Sequence, residues 1–242
     1  MKLNILHKKT ITVITLLITV SMLLTLIPTL SIQVSAANTD INITNSMSVA
    51  DIQTSIQNVI DGASSGDTIT VTGIKTNENS MITLIIRVDI KVIWNALSKD
   101  LSFNIDGGGT FEVALNGKIE VVDKNAIFFD TGTVLVSGGE VVLSYTDHFG
   151  GVAHNYAIYV GDGAVIVSSG KVLATLAMLN NRASGAIALG TGSVVVSGGE
   201  VSVLRKDGND DGYRHAIYVG DGTVTVSGGK VSTLRSSAAI AV

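Results

Sequence analysis

Gly192-Ser-Val-Val-Val-Ser-Gly-Gly-Glu-Val201 decides the fold, because the chain carries the same phrase four times. The other copies are Gly132-Thr-Val-Leu-Val-Ser-Gly-Gly-Glu-Val141, Gly163-Ala-Val-Ile-Val-Ser-Ser-Gly-Lys-Val172 and Gly222-Thr-Val-Thr-Val-Ser-Gly-Gly-Lys-Val231. Successive copies start 31, 29 and 30 residues apart. A steady period of this size marks a solenoid, in which a unit buries its apolar face only by stacking on its neighbour. Within the unit, Val134 and Val136, Val141 and Leu143, then Ile158 and Val160 alternate with small or polar residues. Period two is strand periodicity, and Ser-Gly-Gly and Gly-Asp-Gly supply corners between the strands. Three short strands per unit describe one coil of a parallel β-helix, an all-β fold whose equivalent residues repeat every ~4.8 Å along the axis.

Stacking in register makes a further expectation. The residue after the Ser-Gly-Gly corner reads Glu140, Lys171, Glu200 and Lys230, and Lys118 reaches the same corner through a two-residue insertion. Opposite charges then alternate up one column, each exposed pair adding about 0.5 kcal/mol or less. Val167 and Val196 fall on the inward phase. Leu135, Ile166, Val195 and Thr225 form an outward column on the first strand, and Phe128, Tyr159 and Tyr218 one on the third, interrupted by Ala188.

The 242 residues include no cysteine, so neither disulfides nor a cysteine metal site is available. Lys2, Lys8 and Lys9 precede an apolar run from Ile11 to Ile32, and Val34-Ser-Ala36 fits the small-residue cleavage rule. Residues 1–36 therefore read as a secretory signal, with an uncleaved membrane anchor as the alternative. Cleavage leaves thirteen cationic side chains against twenty acidic ones, a net charge of −7. That balance argues against nucleic acid and, once the signal is gone, against a membrane as partners. The signal points to a secreted or cell-surface protein. Residues 37–47 form a polar lead. Val49, Ile52, Ile56, Val59 and Ile60 then lie on one helical face, with Ser48 and Asp51 as a start signal and Gly62 as a stop. This helix, about 49–61, would cap the apolar end of a domain spanning 48–242, with regular coils over about 109–242. Trp94, the only tryptophan, is expected in the core or cap rather than as a sugar platform. Ala239-Ile-Ala-Val242 repeats the start of a third strand, Ala157-Ile-Tyr-Val160, and there the sequence stops. The expectation is a truncated C-terminus, with further coils or a partner at the open end.

Ile56-Gln-Asn-Val-Ile-Asp-Gly-Ala-Ser-Ser-Gly-Asp-Thr-Ile-Thr-Val71 resembles the N-terminal cap and first strand of the pectin-lyase-like right-handed parallel β-helix superfamily. Val92-Ile-Trp-Asn-Ala96, Gly109-Thr-Phe-Glu-Val113 and the later repeats look like secreted or wall-associated proteins of Gram-positive bacteria. The resemblance covers about residues 50–242 and implies a right-handed β-helix. It specifies fold far better than function. The family's lyases hold Ca²⁺ in a carboxylate cluster beside an Arg or Lys base. Arg182 or Arg205 would take that role only with acidic ligands on neighbouring coils, and no such cluster is legible.

The spacing from corner charge to the next Ala-Ile strand points to a site. It is 8 residues from Lys118 and 9 from Lys230, but 17, 15 and 16 from Glu140, Lys171 and Glu200. Three consecutive coils thus carry insertions at one edge, and loops on a rigid scaffold are where binding concentrates. The insertions and their flanks hold Tyr145, His148, His154 and Tyr156, then Arg182, then Arg205, Tyr213, Arg214 and His215. Aromatic rings beside Asn, Asp and Arg suit a polysaccharide or cell-wall glycan. Asp207, Asn209 and Asp211 match the first half of a calcium loop, but Tyr218 stands where its bidentate glutamate belongs. Ca²⁺ is the one cofactor this pattern allows, and the base expectation is none. The sequence-level reading is a secreted, non-catalytic polysaccharide-binding module. A polysaccharide lyase or glycoside hydrolase, and a structural segment of a larger adhesin, are the alternatives.

Overall fold

The computed structural model describes residues 36–146, 155–176, 184–205, 214–234 and 238–242. The proposed signal lies outside them except for Ala36. β1 (Asn38–Ile43) leads into α1 (Val49–Gly62), the one helix among the described residues. There follow β2 (Thr68–Lys75), β3 (Ser80–Ile85), β4 (Lys91–Lys99), β5 (Leu101–Asp106), β6 (Thr110–Val113) and β7 (Lys118–Val122). From there the strands turn corners: β8 (Ile127–Tyr145), β9 (Tyr156–Leu176), β10 (Ser184–Val196), β11 (Glu200–Arg205), β12 (Arg214–Val226), β13 (Lys230–Leu234) and β14 (Ala238–Ala241). All the pairings between these strands are parallel, with one isolated antiparallel bridge, Arg87 opposite Gly108, outside them. The polar lead is thus not a free tether: β1 pairs with β2 from Asn38 opposite Thr68 to Ile43 opposite Gly73.

The chain returns to the same column once per repeat. Val134 lies opposite Val165, Val165 opposite Val194 and Val194 opposite Val224. Early circuits are shorter: Thr68 pairs with Lys91, Lys91 with Thr110 and Thr110 with Thr133. This all-β, parallel arrangement is consistent with a parallel β-helix. The inward phase is buried as the alternation requires, with Val134, Val136, Val141, Leu143, Ile158, Val160, Val167 and Val196 inaccessible to solvent. Trp94 sits in the core, its ring edge-on to Phe103 with centroids 4.7 Å apart.

The charge column forms as expected, Lys118 opposite Glu140, Glu140 opposite Lys171, Lys171 opposite Glu200 and Glu200 opposite Lys230. Glu140 lies 3.6 Å from Lys118 and 3.8 Å from Lys171, and Glu200 lies 3.1 Å from Lys230. One detail differs. Val113 pairs with Val136 and Lys118 with Glu140, so the older corner holds one extra residue rather than two.

α1 closes the N-terminal end. The Ser48 hydroxyl accepts the Asp51 N–H at 3.1 Å and donates to its carboxylate at 2.6 Å, a reciprocal cap. Ile52, Ile56 and Ile60 are fully buried against the core. The helix also satisfies the strand edge beside it. Gln53 Oε1 accepts the Thr83 N–H at 2.8 Å, and Gln57 Oε1 accepts the Ile85 N–H at 2.9 Å. Two glutamines one helical turn apart stand in for a neighbouring strand.

Candidate functional site

The insertions leave β8, β9 and β11 and re-enter at β9, β10 and β12. His148, His154, Arg182, Asp207, Asn209, Asp211 and Tyr213 lie outside the described residues. Arg205 and Arg214 are placed by backbone only, opposite Leu176 and Ser184. Tyr145 belongs to the core with 8% of its surface exposed, and Tyr156 is 5% exposed. Both rings are covered rather than open on the loop face. At Tyr145 the inward phase of β8 continues to its last residue and takes the ring into the core, whereas the Tyr156 ring is covered near the outward Tyr159, centroids 6.4 Å apart. Burial, then the nearby Tyr218 and Tyr159, pushes the Tyr156 phenol up to about 12, so it stays neutral. His215 is half-buried, with Nδ1 3.3 Å from the Ala238 carbonyl and its ring stacked on Tyr218 at 6.2 Å.

A groove of about 650 Å³ opens on the same edge, one circuit before the first insertion. Its size suits a small ligand or part of a polymer. The edge is where the second strand of each circuit gives way to the third, and there the chain presents Asn79, Asp100, Asn125 and Asn155 ahead of β3, β5, β8 and β9. From Leu97 to Phe103 the chain takes six residues, against eight from Ile74 to Ile82 and nine from Lys118 to Ile127, so the turn at Asp100 is the shortest of the three. A polar residue ahead of the third strand in four successive circuits is the one trace this edge leaves in the sequence, and ordinary turns leave the same trace.

The groove is held by cross-circuit bonds. Lys124 Nζ donates to Asn79 Oδ1 at 3.2 Å, to the Ser80 carbonyl at 3.2 Å and to the Asp100 carbonyl at 2.9 Å. Burial holds its pKa below the usual lysine value, opposed by the charge of Asp100. Asn125 Oδ1 accepts the Tyr156 N–H at 2.7 Å, and Asn155 Nδ2 donates to the Asp123 carbonyl at 3.3 Å. The Asp123 carboxylate receives the Thr146 N–H at 2.5 Å and its hydroxyl at 2.9 Å. Asp123 itself has a φ of +57°, a conformation Asp tolerates better than most side chains.

Ser102, Asn104 and Phe128 come from the third strands. Asn104 pairs in register with Phe128, and Phe128 with Tyr159. The Phe128 and Tyr159 rings are stacked, centroids 5.0 Å apart and planes 7° from parallel. The outward third-strand column is therefore real and runs into the groove. The column breaks at Ala188, which lies between Tyr159 and Tyr218 and is itself covered, 2% exposed.

Among the described residues no group of three His, Asp or Glu side chains is placed to hold a metal ion. No family model, curated protein or solved structure matches the chain.

Proposed function

We propose that the chain is a secreted or cell-surface, right-handed parallel β-helix of the pectin-lyase-like kind that binds polysaccharide without cleaving it. The observation that carries this reading is the groove: amide side chains and an aromatic wall on the same edge where three insertions follow. Amides donate and accept at once, as a ring of hydroxyls requires, while an aromatic face suits the C–H face of a sugar.

The test is retention of the purified chain on immobilised neutral and acidic polysaccharides, with a parallel assay for released reducing ends or unsaturated products. Retention without product is expected. Steady product release would favour a lyase or hydrolase, and no retention on any polysaccharide would favour the structural segment of an adhesin.

A further inference from the structure

We propose that the groove takes a single neutral sugar ring, seated over Asn104 as the next rung of the Phe128–Tyr159 stack. The inference rests on the glycan-binding reading above and names the part of the glycan and its charge. Two nearly parallel rings on adjacent circuits turn their faces along the axis of stacking and their edges outward. Tyr159 covers one face of Phe128. The other side of Phe128 meets the groove, where its register partner is Asn104 rather than another ring. A ligand ring there would complete the column at the ~4.8 Å interstrand spacing, its C–H face on the aromatic face. A ring set across the axis enters edge-on, as a chain end or a branch does.

Charge selects the ligand. Lys124 is the only cation among the described residues lining the groove, and an ammonium has three N–H donors. Asn79, Ser80 and Asp100 take all three. A uronate would therefore find the charge of Lys124 but none of its N–H donors. Asn104 makes no side-chain hydrogen bond among the described residues, and the Asn125 amide has engaged only its oxygen. Such amides fit hydroxyl or acetamido groups.

The experiment titrates the purified chain, by calorimetry and by amide chemical shifts, with neutral gluco-, galacto-, manno- and N-acetylhexosamine trimers and with trigalacturonate. One or more neutral trimers should bind one to one, unaffected by chelation of Ca²⁺, and trigalacturonate at least about tenfold more weakly. Phe128→Leu should weaken the neutral ligand by about two- to tenfold, the loss expected from removing one ring contact. Asn104→Phe should fill the empty rung with the protein's own ring, abolishing binding while the melting temperature holds or rises. Equal or tighter binding of trigalacturonate, or an Asn104→Phe variant that binds like wild type, overturns this inference and leaves polysaccharide binding standing. Failure of wild type to bind any trimer or polysaccharide overturns both.

Discussion

At Gly192 the backbone adopts a φ of +126°, and a Cβ added there would lie 2.0 Å from the Gly163 carbonyl oxygen of the circuit before. The same contact recurs at Gly163 against Gly132, so a column of glycines lets the backbone turn a corner while successive circuits stay in register. Gly192→Ala should thus be destabilising by ~1–3 kcal/mol through strain and displacement together. Val167→Ala should lose a similar ~1–3 kcal/mol for a different reason, since it empties part of a sealed core. Ile166→Ala, one residue away on the outward phase, should lose clearly less. Urea denaturation of the three variants checks the assignment, and an equal loss at 166 and 167 would mean the inward and outward phases are not distinct.

Among the elements, α1 does more than cover apolar residues. β3 is a strand edge, and its amides at Thr83 and Ile85 depend on Gln53 and Gln57. Replacing both glutamines by alanine leaves those donors without their partners, for an expected loss of ~0.5–1.5 kcal/mol each. The sharper readout is hydrogen exchange. Thr83 and Ile85 should exchange much faster in the double variant, with the Val165 and Val194 amides unchanged. Protection that survives at 83 and 85 would remove the helix as an edge cap. Exposing that edge would also raise the tendency of the chain to associate.

Across the whole molecule the charge column couples stability to pH and salt. The Glu200 carboxyl is held below the usual carboxylate range, first by the hydrogen bond from Lys230, then by the charges of Lys230 and Lys171 acting against desolvation. A depressed folded pKa contributes stability above the unfolded value of about 4.3 and loses it as pH falls through the folded value. The pair is exposed, so its share is well under about 1 kcal/mol. Wild type should melt slightly above a Lys230→Met variant at pH 7 in low salt. The difference should shrink at pH 3 and again in 1 M salt. A gap that persists at both would assign it to the packing of the Lys230 stem instead of its charge.

How much of this was readable from the chain follows from where the information lies. Repeat length, inward phase, the glycine corners, the helix cap and the charge column were legible, because each rests on spacing within one unit or on one unit copied into the next. Even there, β1 was missed, since a polar strand at an edge lacks the apolar alternation that marks Val134 and Val136. The groove was not legible. Phe128 was legible only as a member of the outward column, while Asn79, Asn104, Asn125 and Asn155 fit no motif and are scattered over four circuits of unequal length. By itself the sequence determined a parallel, in-register, all-β stack with a helix at its start, because period-two burial and invariant corner spacing admit little else. Only the tertiary structure decided that Tyr145 turns inward, that Tyr156 is covered, and that one short circuit leaves a cleft walled by Phe128. Register alone sets which side chains of different circuits become neighbours, and their distance along the chain says nothing of it.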